Sequence, residues 1–523
     1  GKCSAAVGGS DESGKERGGD EPPCRKTGRN LEGDRMHHAV SLHDDGAGSA
    51  GVSSRTPADG QRFGGLHDVS VCAAPGGKMR RQWFHLEPPK GWMNDPNGLC
   101  CFQDRIHVYF QYCPESADGQ GNRRWGHYEG EDLLHWTYTG IMMSPDCKWD
   151  RDGVYSGSAV EDQDHLLLYY TGNVLYDGDY DGILAGREGN TLRAISTDGR
   201  HVREKDLLLT PKDYPADCSC HVRDPKVWKE EGLWHMVLGA RTRENRGIVL
   251  RYQSTDGQRW QYVGRIQTKE PFGYMWECPD RFVLEEEEFL SFCPQGVPSE
   301  EFRYQNVYQS GYASLTEEEL GVFTEWDMGF DFYAPQTFLM PDGRRILMGW
   351  MGIGDADYTN ATITEGWQHC LTVPRELYRT KAGRIGQRPF REWRRLCMHP
   401  LKWAANMAVP APFALEGRAA GDFSITLAKH LHIDFDQAQG ILRLHFSSPE
   451  LGAGRKERRV RMDGCEEVLV LVDSTSVEIY LNDGEVVLST RYYPGEGPIA
   501  VSMRGIDGDI WSMKGMEVKY LAT

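Results

Sequence analysis

From Arg81 onward the chain is a succession of short apolar or alternating runs, each closed by a turn signal. Residues 106–110, 165–170, 233–238, 248–252 and 345–350 have the length and the β-branched or aromatic content of strands. Asp-Gly, Pro-Asp-Gly and other glycine-rich turns separate them. Long amphipathic helical periods are nearly absent, so the apolar side chains have to be buried between sheets. An all-β protein is expected. With 523 residues, more than one domain is expected as well.

A weak internal repeat gives the strands an order. Asp132, Asp198 and Asp256 each open an acidic turn followed by an aromatic or β-branched residue, and they lie 66 and 58 residues apart. That spacing suits one four-stranded propeller blade with long loops, an architecture whose radial repetition protects sheet edges. The stretch 78–389 divided by that period gives a five-bladed β-propeller. Three unrelated hairpin turns would give the same pattern. After Pro389, Phe390-Arg-Glu-Trp-Arg-Arg-Leu396 reads as a helical linker over 390–400. Strand patterns then return at 468–472, 476–481, 486–490 and 499–503, with Asn482-Asp-Gly484 as a hairpin turn. Residues 401–523 are therefore expected to form a C-terminal β-sandwich.

Residues 1–77 are rich in Gly, Ser, Asp, Glu and Arg without any period. They cannot bury enough apolar surface to offset their ordering entropy, so a disordered N-terminal extension is expected. Gly46-Ala-Gly-Ser-Ala-Gly51 within it matches a nucleotide fingerprint in letters only. It lacks the strand before and the helix after that the fingerprint needs, and a flexible linker accounts for it better.

Lys plus Arg number 59 against 77 for Asp plus Glu, a net charge of -18. Such a balance argues against nucleic acid as a partner. No apolar run approaches the roughly 18–20 residues that span a bilayer, so no membrane association is expected. The first residues also lack the apolar segment that directs secretion. The 14 cysteines include no Cys-x-x-Cys pair. Cys218-Ser-Cys220-His221 is a remote metal candidate, but a structural site needs four converging ligands. Unpaired thiols suit a reducing cytoplasm.

Three acidic residues stand out by their neighbours. Asp95 lies between Asn94 and Pro96 at a turn, where the proline restricts its backbone. Asp224 follows Arg223, a cation that would keep it ionised. Glu277 lies among Trp276, Cys278 and Pro279, apolar surroundings of the kind that raise a carboxyl pKa. Singly each could be a turn residue or a surface ion pair. Together they supply a nucleophile, a charge stabiliser and a proton donor for glycoside cleavage. Trp83, Trp92, Gln111, Tyr112, Trp125, Tyr155 and Trp276 add aromatic faces and an amide for sugar C–H surfaces and hydroxyls, although a propeller core also uses such aromatics.

These motifs carry a resemblance. Gly91-Trp-Met-Asn-Asp-Pro-Asn-Gly98, Arg223-Asp-Pro225 and Glu277-Cys278 resemble the three signatures of glycoside hydrolase family 32, the β-fructofuranosidases. Tyr109-Phe-Gln-Tyr112, Trp125-Gly-His127, Tyr155-Ser-Gly-Ser158 and Pro374-Arg-Glu-Leu377 follow in family order. Gly273-Tyr-Met-Trp-Glu-Cys-Pro-Asp280, Pro294-Gln-Gly-Val297 and Gly329-Phe-Asp-Phe-Tyr-Ala-Pro-Gln336 are similar to the bacterial branch acting on sucrose 6-phosphate.

The resemblance implies a five-bladed propeller with a β-sandwich, and retaining hydrolysis of sucrose or sucrose 6-phosphate. It implies Asp95 as nucleophile, Glu277 as general acid/base and Asp224 as transition-state stabiliser, with no metal or cofactor needed. Trp92, Met93, Asn94, Gln111, Trp125, Tyr155, Ser156, Arg223 and Trp350 would form the fructose subsite. Fructan hydrolysis and fructosyl transfer remain alternatives on the same scaffold, and a non-catalytic sugar-binding propeller is a more remote one. The sequence departs from the family at Cys113, Tyr155, Arg123-Arg124 and the longer stretch 115–122, all expected near the pocket mouth. Arg123 or Arg124 could meet a sugar phosphate there, although the pair reads more readily as solvated surface cations.

Overall fold

The computed structural model describes residues 80–316 and 319–521. The expected disordered extension and its glycine-rich motif lie outside the described residues. Four sheets of four strands follow one another along the chain, starting at Val154–Asp162, Cys218–Glu230, Met275–Leu284 and Tyr333–Leu339. Ahead of them, Gly91–Phe102, Arg105–Cys113, Arg124–Gly130 and His135–Met143 form the centre of a six-stranded sheet. The first strands of these sheets touch their neighbours in order, and Tyr333–Leu339 returns to Gly91–Phe102 to close the ring. This is a β-propeller, and the protein is all-β as expected.

The aspartate repeat is a property of this fold. Asp132, Asp198 and Asp256 sit in the outer turns that join the third and fourth strands of three consecutive sheets. Asp198 Oδ1 accepts the amides of Arg200 and His201 at 2.9 Å, and Asp256 Oδ1 accepts those of Gln258 and Arg259 at 2.9 and 2.8 Å. A carboxylate that accepts local amides in this way supplies the turn its structure. The turns also knit sheets together. Tyr109 Oη of the first sheet donates to Gly199 O at 2.6 Å, and Tyr169 Oη of the second donates to Gly257 O at 3.3 Å.

Beyond a short 3-10 helix, Arg391–Leu396, the chain forms a C-terminal sheet domain of ten strands. Its two long strands, Phe413–Leu427 and Ile499–Met513, pair along their length. The first half of Phe413–Leu427 also pairs with Glu467–Val472 and the second half with Leu431–Asp436, so the sheet folds over on itself. Phe413, Ile425, Ile433, Leu444, Val470 and Ile479 fill the space it encloses. The final strand, Glu517–Tyr520, leaves this domain and adds in parallel to His135–Met143 of the propeller.

The two parts meet across a buried polar cluster. His85 Nδ1 lies 2.8 Å from Asp473 Oδ2 and Nε2 lies 2.9 Å from Glu478 Oε1. Both partners are acceptors, so both ring nitrogens donate and the ring is an imidazolium. Burial alone would strip its proton, but the two carboxylates win and raise its pKa from 6.5 to about 9. The folded protein thus holds this proton more tightly than the unfolded chain does. Its contribution to stability is complete below about pH 6.5 and is lost as pH rises through about 9. The urea midpoint is expected to fall across that window, and His85→Gln to flatten the fall.

Candidate active site

The innermost strands share one irregularity at one height. The ladder breaks between Met93 and Pro96, between Tyr155 and Gly157, between Glu277 and Asp280, and between Tyr333 and Gln336. The strand Cys218–Glu230 breaks between Arg223 and Lys226, opposite Val237 and Gly239. The residues left unpaired include Asn94, Asp95, Ser156, Asp224 and Cys278. A bulge bends its strand and re-aims the side chains at the break. Pro96, Pro225, Pro279 and Pro335 stand at these positions, and a proline has no N–H with which to rejoin the ladder. Asp224, Cys278 and Ala334, each just before such a proline, have φ of 65°, 47° and 47°. This left-handed conformation is uncommon outside glycine and is held by the surrounding sheets.

The breaks bring Asp95, Asp224 and Glu277 to a cavity of about 540 Å³. Asp95 Oδ2 accepts from Ser156 Oγ at 2.6 Å, and its Oδ1 accepts from Asn94 Nδ2 at 3.0 Å. Glu277 Oε2 accepts from Tyr333 Oη at 2.6 Å and Gln295 Nε2 at 2.8 Å. Its Oε1 accepts from Arg223 Nη2 at 2.7 Å and Nε at 3.1 Å. Asp224 Oδ2 accepts from the Cys278 amide at 2.9 Å. The Cys278 thiol lies between the carboxylates, 3.6 Å from Asp95 and 3.7 Å from Asp224.

Burial pushes the Asp95 carboxyl above the usual range; Ser156 and Asn94 pull it back, while the charge of Glu277 adds to the rise. Burial raises Asp224 as well, against the pull of Arg223. Burial beside Asp224 and Asp95 keeps Cys278 a neutral thiol. Arg223 was expected to serve Asp224. It stands 4.0 Å from Asp224, where its charge favours the ionised carboxylate, and it also donates to Glu277, so Glu277 does not sit in apolar surroundings.

Of the residues read as the fructose subsite, Asn94, Gln111, Tyr155, Ser156 and Arg223 line the cavity. Trp92, Met93, Trp125 and Trp350 do not; they support its wall. Trp92 Nε1 donates to Asn94 Oδ1 at 2.8 Å, and Trp125 Nε1 donates to Tyr155 O at 3.0 Å. Met93 is fully buried in the core under the first sheet. Trp350 is buried against Trp92 and Tyr333, with ring centroids 5.9 and 6.3 Å away. Trp276 is likewise buried, packed on Phe292 at 4.3 Å.

The Cys218–His221 stretch does not gather as a metal centre. Cys218 is buried in an apolar cluster, and the two ring nitrogens of His221 face Arg223 and Gly182. Among the described residues, His432, Asp434 and His445 lie close together on the C-terminal sheet domain, and Asp146, Cys147 and Asp150 on the propeller. None of them lines the cavity.

The chain matches the Glycosyl hydrolases family 32 N-terminal domain over residues 85–389 and the family's C-terminal domain over 405–514. It belongs to glycosyl hydrolases family 32. A sucrose-6-phosphate hydrolase of Bacillus subtilis (strain 168) is 39% identical over 464 residues, covering 83% of this chain and 94% of that protein. A raffinose invertase of Escherichia coli is 39% identical over 451 residues, covering 82% and 92%. The structure of sucrose-6-phosphate hydrolase from Lactobacillus gasseri superposes with a TM-score of 0.76 at 29% identity, covering 83% and 93%. The protein is a glycoside hydrolase.

Against that family background, the stretch at which this sequence departs from the usual pattern forms one side of the cavity mouth. Gly119, Gln120, Gly121, Asn122 and Arg123 line it, and the Cys113 thiol donates to Gln120 O at 3.1 Å. Residues of the stretch Leu175 to Arg187 line it as well, with Tyr176 and Tyr180 both more than two-fifths exposed. The sequence reading assigned no role to Tyr176, Tyr180, Gln295, Tyr308 or Tyr333. Gln295 and Tyr333 lie inside the stretches that resemble the bacterial branch, and that was the available signal.

Proposed function

We propose that this family 32 enzyme cleaves terminal β-D-fructofuranosyl bonds with retention, using Asp95, Glu277 and Asp224. The convergence of three carboxylates on one cavity, two of them hydrogen-bonded through both oxygens, carries the reading. Ser156 and Asn94 fix Asp95 in one rotamer, as an in-line attack on the anomeric C2 requires. As the C2–O bond breaks, Glu277 gives its proton to the leaving oxygen and a fructosyl ester forms on Asp95. Water, deprotonated by Glu277, then attacks C2 and frees the carboxylate. Asp224 faces the positive charge that builds on the sugar in both steps. Burial and the neighbouring carboxylates raise Asp95 and Asp224 above the usual carboxylate range, because like charges in one desolvated cavity repel.

The ring of inner strands supports a five-bladed propeller, with the six-stranded sheet as one blade, and the folded C-terminal sheet supports a β-sandwich. The proposed boundaries 78–389, 390–400 and 401–523 lie near this division, but the helical turn spans only Arg391–Leu396, Cys397–Leu401 is already a strand of the C-terminal sheet, and Glu517–Tyr520 returns to the propeller. Eleven cysteines carry free thiols among the described residues, which supports a reducing cytoplasmic setting. No helix among them is long and apolar enough to cross a membrane.

The substrate is sucrose or sucrose 6-phosphate; the relatives favour this over fructans. Arg123 and Arg124 differ in their surroundings. Arg124 is paired with Glu115 at 2.6 Å. Arg123 lines the cavity, donates to Gly119 O at 2.6 Å, and has no carboxylate partner among the described residues. The test compares kcat/KM for sucrose, sucrose 6-phosphate and an inulin oligomer. If Arg123 receives the phosphate, Arg123→Ala lowers the preference for the phosphorylated sugar by roughly 10-fold, the size of a lost charged hydrogen bond. Arg124→Ala leaves it in place. An unchanged preference in the Arg123 variant would remove Arg123 from this role, and a preference for the oligomer would overturn the substrate.

A further inference from the structure

We propose that His221 is a positioning residue that ties the loop over the cavity mouth to the acid/base. The inference rests on the reading of Glu277 given above. Three hydrogen bonds in series carry it. Arg223 Nη2 donates to Glu277 Oε1 at 2.7 Å, Arg223 Nη1 meets His221 Nδ1 at 2.7 Å, and His221 Nε2 meets Gly182 O at 3.0 Å.

The roles along this series are fixed by chemistry. A guanidinium only donates, so Nδ1 accepts; a carbonyl only accepts, so Nε2 carries the hydrogen. His221 is therefore the neutral Nε2–H tautomer, a rigid spacer of one ring between a loop carbonyl and a guanidinium. Arg223 has one edge on Glu277 and its remaining nitrogen on His221. Removing that acceptor takes away one of the bonds that orient the guanidinium, and the direction in which it holds Glu277 Oε1 is then less sharply set.

The other end of the series is equally fixed. Asp181 Oδ1 accepts the amides of Ile183 and Leu184 at 2.9 and 2.8 Å, and the Cys220 amide donates to Ile183 O at 2.8 Å. This shapes the turn that presents Gly182 O, within the same loop that places Tyr176 and Tyr180 at the mouth. The loop that lines the cavity mouth and the residue read as the acid/base are thus parts of one hydrogen-bonded frame. His221 is buried, as a spacer of fixed orientation has to be.

The test exploits the leaving group. Sucrose needs its leaving oxygen protonated, whereas p-nitrophenyl β-D-fructofuranoside does not, because nitrophenolate departs without a proton. The expected result for His221→Phe is a loss of roughly 30-fold in kcat/KM for sucrose, within the range of a weakened general acid, and a several-fold smaller loss for the aryl fructoside. His221→Gln, whose amide can accept from Arg223 and donate to Gly182 O, is expected to recover most of the sucrose activity. Equal losses on both substrates, no loss on either, or no recovery with Gln would each overturn the inference. Glu277→Ala in the same assay separates it from its basis. If that variant shows the leaving-group dependence and His221→Phe does not, His221 fails alone. If Glu277→Ala shows none, the role of Glu277 fails and the inference falls with it.

Discussion

Replacing Asp95 by asparagine is expected to lower kcat for fructoside hydrolysis by on the order of 10⁴-fold or more, the loss seen when a member of a catalytic unit is removed. The amide is nearly isosteric, so the Ser156 hydroxyl keeps an acceptor and the strand keeps its bulge. What disappears is the carboxylate that forms the ester with C2. KM should change little, because the contacts from Gln111, Tyr155 and Arg223 to the substrate pocket remain. The decisive measurement is the release of reducing sugar by purified full-length variant and parent under identical conditions. A residual rate within 10-fold of the parent would mean that another group attacks C2, and the retaining scheme would have to be abandoned.

The second large effect is one of stability. Arg375 is fully buried, with Nη2 2.8 Å from Glu478, 3.0 Å from Asp327 and 2.7 Å from Ser489 Oγ. It belongs to the last propeller sheet, while Glu478 and Ser489 belong to the C-terminal domain. Arg375→Met keeps much of the side-chain volume and removes the charge. Two buried carboxylates then lose their shared cation, and breaking such a buried cluster from one side costs about 3–5 kcal/mol. The urea midpoint should fall accordingly, and Arg375→Lys should fall between the two proteins because a point charge cannot serve several acceptors as the planar fork does. An unchanged midpoint for Arg375→Met would mean that the cluster contributes nothing to cohesion between the two parts.

The strands and outer turns were legible because their signals are local. Asp198 and Asp256 structure their turns through amides only two and three residues ahead, so spacing alone located them. The three carboxylates were legible because each stands in a motif with a proline close by. The partners of those carboxylates were not. Adjacency placed Arg223 beside Asp224, and the two charges do lie 4.0 Å apart, but nothing local signalled that Arg223 donates to a glutamate 54 residues away. The aromatic reading failed for a related reason. Trp92, Trp125 and Trp350 have the composition of a sugar platform, yet all three lie within the wall, and linear sequence does not distinguish a wall indole from a rim indole. The aromatics that do reach the mouth, Tyr176 and Tyr180, sit in a loop of glycines and aspartates whose texture signals only a turn.

One feature of the first sheet bears on how the enzyme comes into being. The sheet that presents Asp95 is completed at one edge by Trp367–Gln368 and at the other by Glu517–Tyr520, both paired in parallel. When the three carboxylates have left the ribosome, neither edge has yet been made. The first sheet is therefore completed only after residues 367–368 and 517–520 have been made, and a nascent product that ends before them holds all three carboxylates without both edges of the sheet that presents Asp95.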